Sequence, residues 1–227
     1  MIKKLLFIFL LQMSFATYIC AQTREKLIAF RDSIATNTDK FLTVKGVELK
    51  PMLRMDEALK MFEAKGWKKS PEFDEIKNES GEYSLDGDFF NKQDCYIYIV
   101  PTKNNKDIVG RVLIIFPKWS SFYELKNEYD ELKSSLNHKY TLNYSNESFN
   151  DKYLETSSSD ALKLDAISNN EAVFETWYNI SDKPENFILG NVNLKIIYID
   201  NISSYNVSLM YVTSDDLIDY ISAEDDL

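Results

Sequence analysis

Apolar residues recur every three or four positions in three stretches of the chain, and this spacing predicts three amphipathic helices. The first covers residues 24–38, and the second covers about 53–65. The third begins with a capping box, in which Ser121 and Glu124 satisfy each other's backbone N–H groups, and it runs to about Asn137. Its apolar stripe must pack against another element, and a sheet is the natural partner.

Over residues 83–89 apolar and polar residues alternate, which is typical of a strand with one buried face. Strand-like runs follow at 95–100 and 108–116, before the third helix, and at 172–180, 187–199 and 205–213, after it. A short helix is predicted at about 160–167, and a final helical turn after Ser214. These patterns predict an α+β fold of antiparallel β-meanders with helices packed on one face.

The two halves of the chain repeat the same order of elements. Each contains a helix followed by three strands, and a polar turn joins the last two strands. The pattern predicts a duplicated helix-plus-three-strand unit, with pseudo-repeats at about 41–117 and 118–213 inside one mature domain of residues 22–227. Residue identity between the halves is low, so coincidence is the alternative.

The N-terminus has the parts of a secretory signal peptide covering residues 1–21. Two lysines precede the apolar run Leu5–Leu11, which is shorter than the roughly 20 residues needed to span a bilayer. A retained anchor is therefore the weaker alternative, and no membrane insertion is expected after cleavage. Lipidation at Cys20 is disfavoured because Ile19 stands where a small residue is required. We predict an extracytoplasmic protein, either periplasmic or secreted.

Acidic residues are concentrated in the second half of the mature chain. Cleavage after residue 21 leaves 24 basic and 36 acidic side chains, a net charge of −12. Residues 22–138 carry a net charge of −1, whereas residues 139–227 carry −11. Such a field repels nucleic acid and anionic membranes and favours a basic partner or divalent cations. Solubility is the plainer explanation.

Few residues suited to catalysis or metal binding are present. His138, the one histidine, lies at the predicted end of the third helix, where a cation is favourable. Cys95, the one cysteine left after cleavage, lies on an apolar strand, where a cysteine is usually a small buried hydrophobe. Two such residues are too few for an ordinary zinc site, and the six scattered glycines form no phosphate loop. We predict no catalytic residues, no metal site and no cofactor.

Carboxylates and two tryptophans form the candidate partner surface, whose residues are Asp215, Asp216, Asp219, Glu224, Asp225, Asp226, Trp119 and Trp177. Neither these acids nor Asp86, Asp88 and Asp94 have the ligand spacing of a calcium loop. Solvated loops or tails are the plainer interpretation, with weak calcium binding and a glycosidase acid pair as alternatives. The tryptophans, including Trp67, either form a sugar-stacking or protein-binding surface or pack in the core.

Several short motifs resemble a group of secreted hypothetical proteins from Bacteroides-type bacteria over most of residues 41–227. The motifs are Lys45-Gly46-Val47, Lys65-Gly66-Trp67, Leu85-Asp86-Gly87-Asp88-Phe89, Cys95-Tyr96-Ile97-Tyr98, Trp119, Lys139-Tyr140 and Asp225-Asp226-Leu227. The resemblance implies a fold similar to the β-lactamase inhibitor protein, with tandem helix-plus-sheet units, or to the single unit of the assembly lipoprotein BamE. It supplies no catalytic residues to carry over.

These observations favour a non-enzymatic protein-binding or inhibitor-like module. The expected partner is another envelope or secreted protein, one with a basic groove if the acidic half takes part. A glycan-binding or glycan-active envelope protein is the first alternative, because of the tryptophans and the abundant carboxylates. A structural or assembly role in the cell envelope is the second.

Overall fold

The computed structural model of the protein describes residues 24–71, 80–151, 154–155, 157 and 159–224, so the predicted signal peptide lies outside the described residues. The described helices are α1 (Arg24–Ala35), α2 (Met55–Ala64), α3 (Phe122–Asn137), α4 (Asp160–Ser168) and α5 (Ser214–Glu224). The strands are β1 (Thr43–Val44), β2 (Val47–Glu48), β3 (Lys68–Lys69), β4 (Tyr83–Phe89), β5 (Lys92–Pro101), β6 (Val109–Ile115), β7 (Thr141–Phe149), β8 (Ala172–Asn179), β9 (Gly190–Ile199) and β10 (Ser204–Thr213). Within the described ranges, every helix is too short or too polar to span a bilayer.

One antiparallel sheet of eight strands organises the molecule, in the order β3-β4-β5-β6-β10-β9-β8-β7. Each half of the chain forms a meander that starts at an outer edge of the sheet and ends at its centre. The two meanders meet where β6 pairs with β10, from Ile115 opposite Ser208 to Arg111 opposite Val212. The predicted α+β fold with antiparallel meanders is confirmed, and the helices pack against the sheet.

The second meander contains a strand that the sequence did not predict. Strand β7 pairs with β8 along its length, with a bulge between Leu142 and Tyr144. It is an edge strand of the sheet, and six of its nine residues are polar. An edge strand needs no strong apolar alternation, since solvent reaches it readily, and this explains why the pattern was missed. Each meander therefore has four strands rather than three; the duplication itself stays a prediction.

One face of the sheet is covered by helices. The α3 side chains Leu125, Tyr129, Leu132 and Leu136 are buried, and α3 packs on β9 and β10. The capping residue Ser121 accepts a hydrogen bond from the Glu124 N–H at 3.5 Å, which is the serine half of the predicted capping box. Within this core the Tyr129 hydroxyl shares a 2.7 Å hydrogen bond with that of Thr176 on β8, so its polar atom is satisfied although the ring is fully buried.

Helix α2 covers the first meander through an aromatic contact. The Trp67 ring stacks on Phe62 of α2 with 4.6 Å between ring centroids. Its other neighbour is Gly87 of β4, where an added Cβ would lie 2.3 Å from Trp67 Cδ1. The register between β4 and β5 also shifts at this glycine. Gly87 therefore allows the Trp67 ring to approach the strand closely, because a side chain at this position would clash with the ring. Trp67 belongs to the core.

Candidate functional site

The opposite face of the sheet carries a line of large side chains that no described helix covers. Strand register places one residue from each of six neighbouring strands along this line, in the order Tyr98, Leu113, Met210, Asn193, Trp177 and Tyr144. We call these six residues the central row. At the usual strand spacing of about 4.8 Å, its ends lie about 24 Å apart. The row joins both halves of the chain in one surface.

The central row is only partly protected from solvent. Tyr144 is exposed, Tyr98, Leu113, Met210 and Trp177 are half-buried, and Asn193 is buried and donates to Glu175. These positions alternate with core residues on the same strands; Met210, for example, stands between Leu209 and Tyr211, which are almost fully buried. The open face therefore presents apolar side chains that the fold itself leaves incompletely packed.

A groove of about 670 Å³ continues the open face beside the central row. Its apolar lining comes from Tyr96, Tyr98, Ile115, Ile199 and Ile202. Two of these are strongly exposed, Tyr96 at 50% and Ile202 at 62%. Ile202 is held at the rim by a 3₁₀ turn over Asp200–Ile202 that ends at Ser203 in the left-handed conformation, with φ +47°.

The polar side chains of the groove differ in how free they are to bind. Asn206 is buried, donates to the Phe116 carbonyl at 2.8 Å and accepts from the Ser204 hydroxyl. Asn206 is therefore held by bonds within the protein and forms part of the groove wall. Asp94 and Lys118 also line the groove, are exposed, and carry opposite charges. They are the charged groups that a ligand in this groove would meet.

Three acids of the candidate partner surface are buried and paired with arginines. Arg31 Nη1 is 2.5 Å from Asp215 Oδ1, with both side chains at most 10% exposed. Asp216 and Asp219 pair with Arg111 and Arg24 at 2.6 and 3.2 Å, and their own side chains are 8% and 2% exposed. The interpretation of a solvated acidic run is wrong for these three residues, because they fasten α5 to α1 and β6.

Backbone groups complete the pairing of these acids. Asp215 accepts the Met52 N–H at 2.7 Å, and Asp219 accepts the Asn104 N–H at 3.1 Å. Glu224 ends α5, while Asp225 and Asp226 lie outside the described residues. The described part of the chain holds no group of three or more His, Cys, Asp or Glu side chains arranged to bind a metal ion.

The three tryptophans occupy separate environments. Trp67 is in the core, and Trp119 is half-buried and donates its indole N–H to Glu128. Burial raises the pKa of the Glu128 carboxyl, although Lys92 lies 3.4 Å away and partly opposes the shift. Trp177 alone of the three lies in the central row. Of the two alternatives for the tryptophans, core packing is the one found for Trp67, and Trp119 and Trp177 do not form one patch.

The two candidate nucleophile and base residues have the predicted structural environments. Cys95 is buried on β5, and burial raises the pKa of its thiol to about 11. A thiol with this pKa is protonated at neutral pH and is a poor nucleophile. His138 is the exposed C-cap residue of α3. Neither residue contributes to the open face.

Sequence analysis did not single out the open-face residues Tyr96, Tyr98, Ile115 and Met210. Their strands were predicted, and their side chains were counted only as strand formers. A usable signal was present in β5, where Cys95-Tyr96-Ile97-Tyr98-Ile99-Val100 is apolar at both alternating sets of positions. A strand of that kind has a second apolar face that needs its own explanation.

The sequence matches no known protein-family model. No curated protein and no solved structure matches the chain either. The resemblance to secreted proteins of the β-lactamase-inhibitor or BamE type therefore stays a prediction, and the argument for function rests on the open face and its chemistry.

Proposed function

We propose that the protein is an exported, non-enzymatic binding module that holds another envelope or secreted protein on the open face of its sheet. The observation that supports this proposal is the central row with its adjoining groove, a surface of half-buried and exposed Tyr, Trp, Met, Leu and Ile side chains that is interrupted at the buried Asn193. Aromatic residues and methionine are enriched at protein interfaces, and tyrosine and tryptophan often dominate binding energy.

The rigidity of the surface adds to this argument. Residues of the central row stand on paired strands, and Leu209 and Leu194 behind them are fully buried. Side chains fixed in this way lose little conformational freedom when a partner binds. The open face is therefore preorganised for a partner with an apolar or aromatic surface segment, rather than for a flexible polar chain.

The acids of α5 do not enter the proposal. Asp215, Asp216 and Asp219 are already paired with arginines, so they have little charge to offer a basic partner. Asp94 and Lys118 at the groove provide one charge of each sign. We expect salt to weaken binding only modestly, since apolar contacts would supply most of the affinity.

Glycan binding is the second candidate, and one pair of residues favours it. Tyr144 and Trp177 are directly opposite each other on β7 and β8, so two aromatic residues are neighbours at one end of the central row. Adjacent aromatic rings offer flat apolar surfaces on which sugar rings can stack. This candidate uses only the end of the row and leaves the groove unexplained.

The test is affinity capture with purified residues 22–227, using envelope and culture fractions of the producing cells and mass spectrometry. The test variant is Tyr98→Ala with Leu113→Ser in the central row. The matched control is Tyr123→Ala, which removes a 68% exposed tyrosine from α3. We expect one protein to be enriched by the wild type and by the control and to be lost with the test variant.

Two outcomes would contradict the proposal. In the first, the test variant retains every captured protein, which would place binding elsewhere on the molecule. In the second, no protein is enriched while a glycan array gives hits that Trp177→Ala abolishes. That result would establish the glycan candidate instead.

A further inference from the structure

A second cavity, of about 700 Å³, lies on the helix-covered side of the molecule. It is bounded by the β1–β2 hairpin, the β4–β5 hairpin and the C-terminal end of α3. Its apolar wall comes from Phe89, Phe90, Leu136 and the almost fully buried Tyr211. A volume of this size accommodates a small organic molecule.

Two lysines line the same cavity. Lys45 Nζ donates to the Asp88 carbonyl at 2.8 Å and lies 5.6 Å from the centroid of the Trp67 ring. Lys139 Nζ donates to the Thr43 carbonyl at 2.8 Å and lies 4.9 Å from the centroid of the Tyr140 ring. Within the described part of the chain neither ammonium forms an ion pair. Each keeps N–H groups available for a ligand.

The surroundings of this cavity are locally positive, although the protein as a whole is acidic. A third ammonium, that of Lys65, lies next to Gly46, 3.4 Å from where a Cβ at that glycine would be. Asp88, which is exposed, is the one acid among the lining residues. Burial of the Lys139 ammonium between the Tyr140 ring and the Thr43 carbonyl lowers its pKa, although much of its side chain is exposed. The lowered pKa means that burial disfavours the charged form of Lys139, and an anion in the cavity would offset this effect by favouring the charged form.

An unfavourable backbone conformation places an aromatic ring at the cavity. Phe90 and Asn91 form the two-residue β4–β5 turn with φ +51° and +61°. Such turns favour Asn, Asp or Gly at both positions, and phenylalanine is poorly suited to the first. The β1–β2 turn on the other side has the same form, with Lys45 at φ +48° in the first position and Gly46 at +77° in the second. Strain of this kind often accompanies a functional side chain, and the Phe90 ring is 39% exposed.

We propose that this cavity binds a small organic anion, a carboxylate or sulfonate with an aromatic or alkyl body, whose charge is held by Lys45 and Lys139 and whose body packs on Phe90. Two cations in the lining and an apolar wall are the complementary features that such a ligand needs. The cavity is separate from the open face, so this proposal stands independently of the protein-binding function.

The experiment is a fluorescence titration of residues 22–227 with the aryl sulfonate 8-anilinonaphthalene-1-sulfonate and with its uncharged analogue N-phenyl-1-naphthylamine. We expect Lys45→Gln with Lys139→Gln to raise the Kd of the sulfonate at least about tenfold, because two charge-assisted contacts are lost. The Kd of the uncharged analogue should be nearly unchanged. Lys118→Gln at the groove on the open face is the matched control and should alter neither value.

A further variant tests the role of the strained turn. Phe90→Asn gives the turn a residue that it favours, so we expect the thermal midpoint of unfolding to be retained or raised while both probes bind more weakly. The proposal is overturned if the sulfonate does not bind the wild type, or if the double lysine variant binds it equally well. It is also overturned if Lys118→Gln weakens binding as much as the double lysine variant does.

Discussion

The two faces of the sheet are built from the same strands and yet differ in how completely they are packed. In β10, Leu209 is fully buried against α3 and its neighbours, whereas Met210, one residue later, is half-buried on the open face. The covered face is filled by helices. The open face carries side chains of similar size without a covering element among the described residues. Stability therefore depends more on the covered face than on the open face.

Charged residues show the same contrast between filled and open regions. At the end of the sheet, Arg31 and Asp215 form a buried pair that joins α1 to α5. On the open face, Lys195 stands exposed in the middle of β9. The position of a charge in this protein is thus a better guide to its role than the net charge of the region around it.

The largest effect is expected where a buried ion pair is broken. Arg31→Ala leaves the Asp215 carboxylate buried without its cation, and this typically costs about 3–5 kcal/mol in the free energy of unfolding. The matched control, Arg54→Ala, removes a partner from the exposed pair with Asp56, where both side chains are 56% exposed. We expect a cost below about 1 kcal/mol there. Equal losses in urea unfolding would contradict the structural role assigned to Arg31.

A second pair of variants compares the faces directly. Leu209→Ala creates a cavity in the core and should lower the free energy of unfolding by about 2–5 kcal/mol. Met210→Ala, on the adjacent residue, should cost about 1 kcal/mol or less because its side chain is already partly solvated. Chemical denaturation of both variants provides the measurement. A loss at Met210 as large as that at Leu209 would show that the open face is packed against something in solution.

The smallest effect concerns Glu128 and depends on pH. Because burial raises the pKa of Glu128 in the folded protein, this carboxyl favours folding most at pH values below its unfolded pKa, near 4.5, and the contribution is lost as the pH rises through the raised value. Glu128→Gln removes the buried charge and keeps an acceptor for the Trp119 indole. We expect the variant to be more stable than the wild type at pH 7, with a smaller difference at pH 4.

Unfolding of both proteins in urea at the two pH values measures this difference. A variant less stable than the wild type at pH 7 would mean that attraction to Lys92 outweighs the cost of burying the Glu128 carboxylate.

Most of the secondary structure was predictable because periodicity and capping are local properties. The capped helix α3 and strands β4, β5, β6, β8 and β10 lie close to their predicted positions. Periodicity was less reliable for side-chain burial in α1. Phe30 shares the three- and four-residue apolar spacing of this helix with Leu27 and Ile34, yet it is 41% exposed, whereas Arg31 is 2% exposed. The reason lies in a partner 184 residues away, Asp215, which no local pattern includes.

The candidate site was less predictable than the fold. The acids of α5 were singled out because they are close together in sequence, but their arginine partners lie 105 to 195 residues earlier. The open face arises from strand order, which brings Tyr98 and Trp177 into one row across both meanders. Strand pairing between halves of a chain is decided by three-dimensional packing, and a single sequence contains little information about it.

The meeting of β6 and β10 at the centre of the sheet has a consequence for how the chain reaches its folded state. Strand β6 (Val109–Ile115) is synthesised long before β10. Its pairing with β10, for example of Ile115 with Ser208, cannot form until β10 has been made. Until then an apolar strand edge has no partner, which is the condition under which chains aggregate. Late pairing of distant segments also slows folding. The last strand to be made thus closes the sheet, and loss of the C-terminal segment should leave an aggregating chain rather than a smaller folded one.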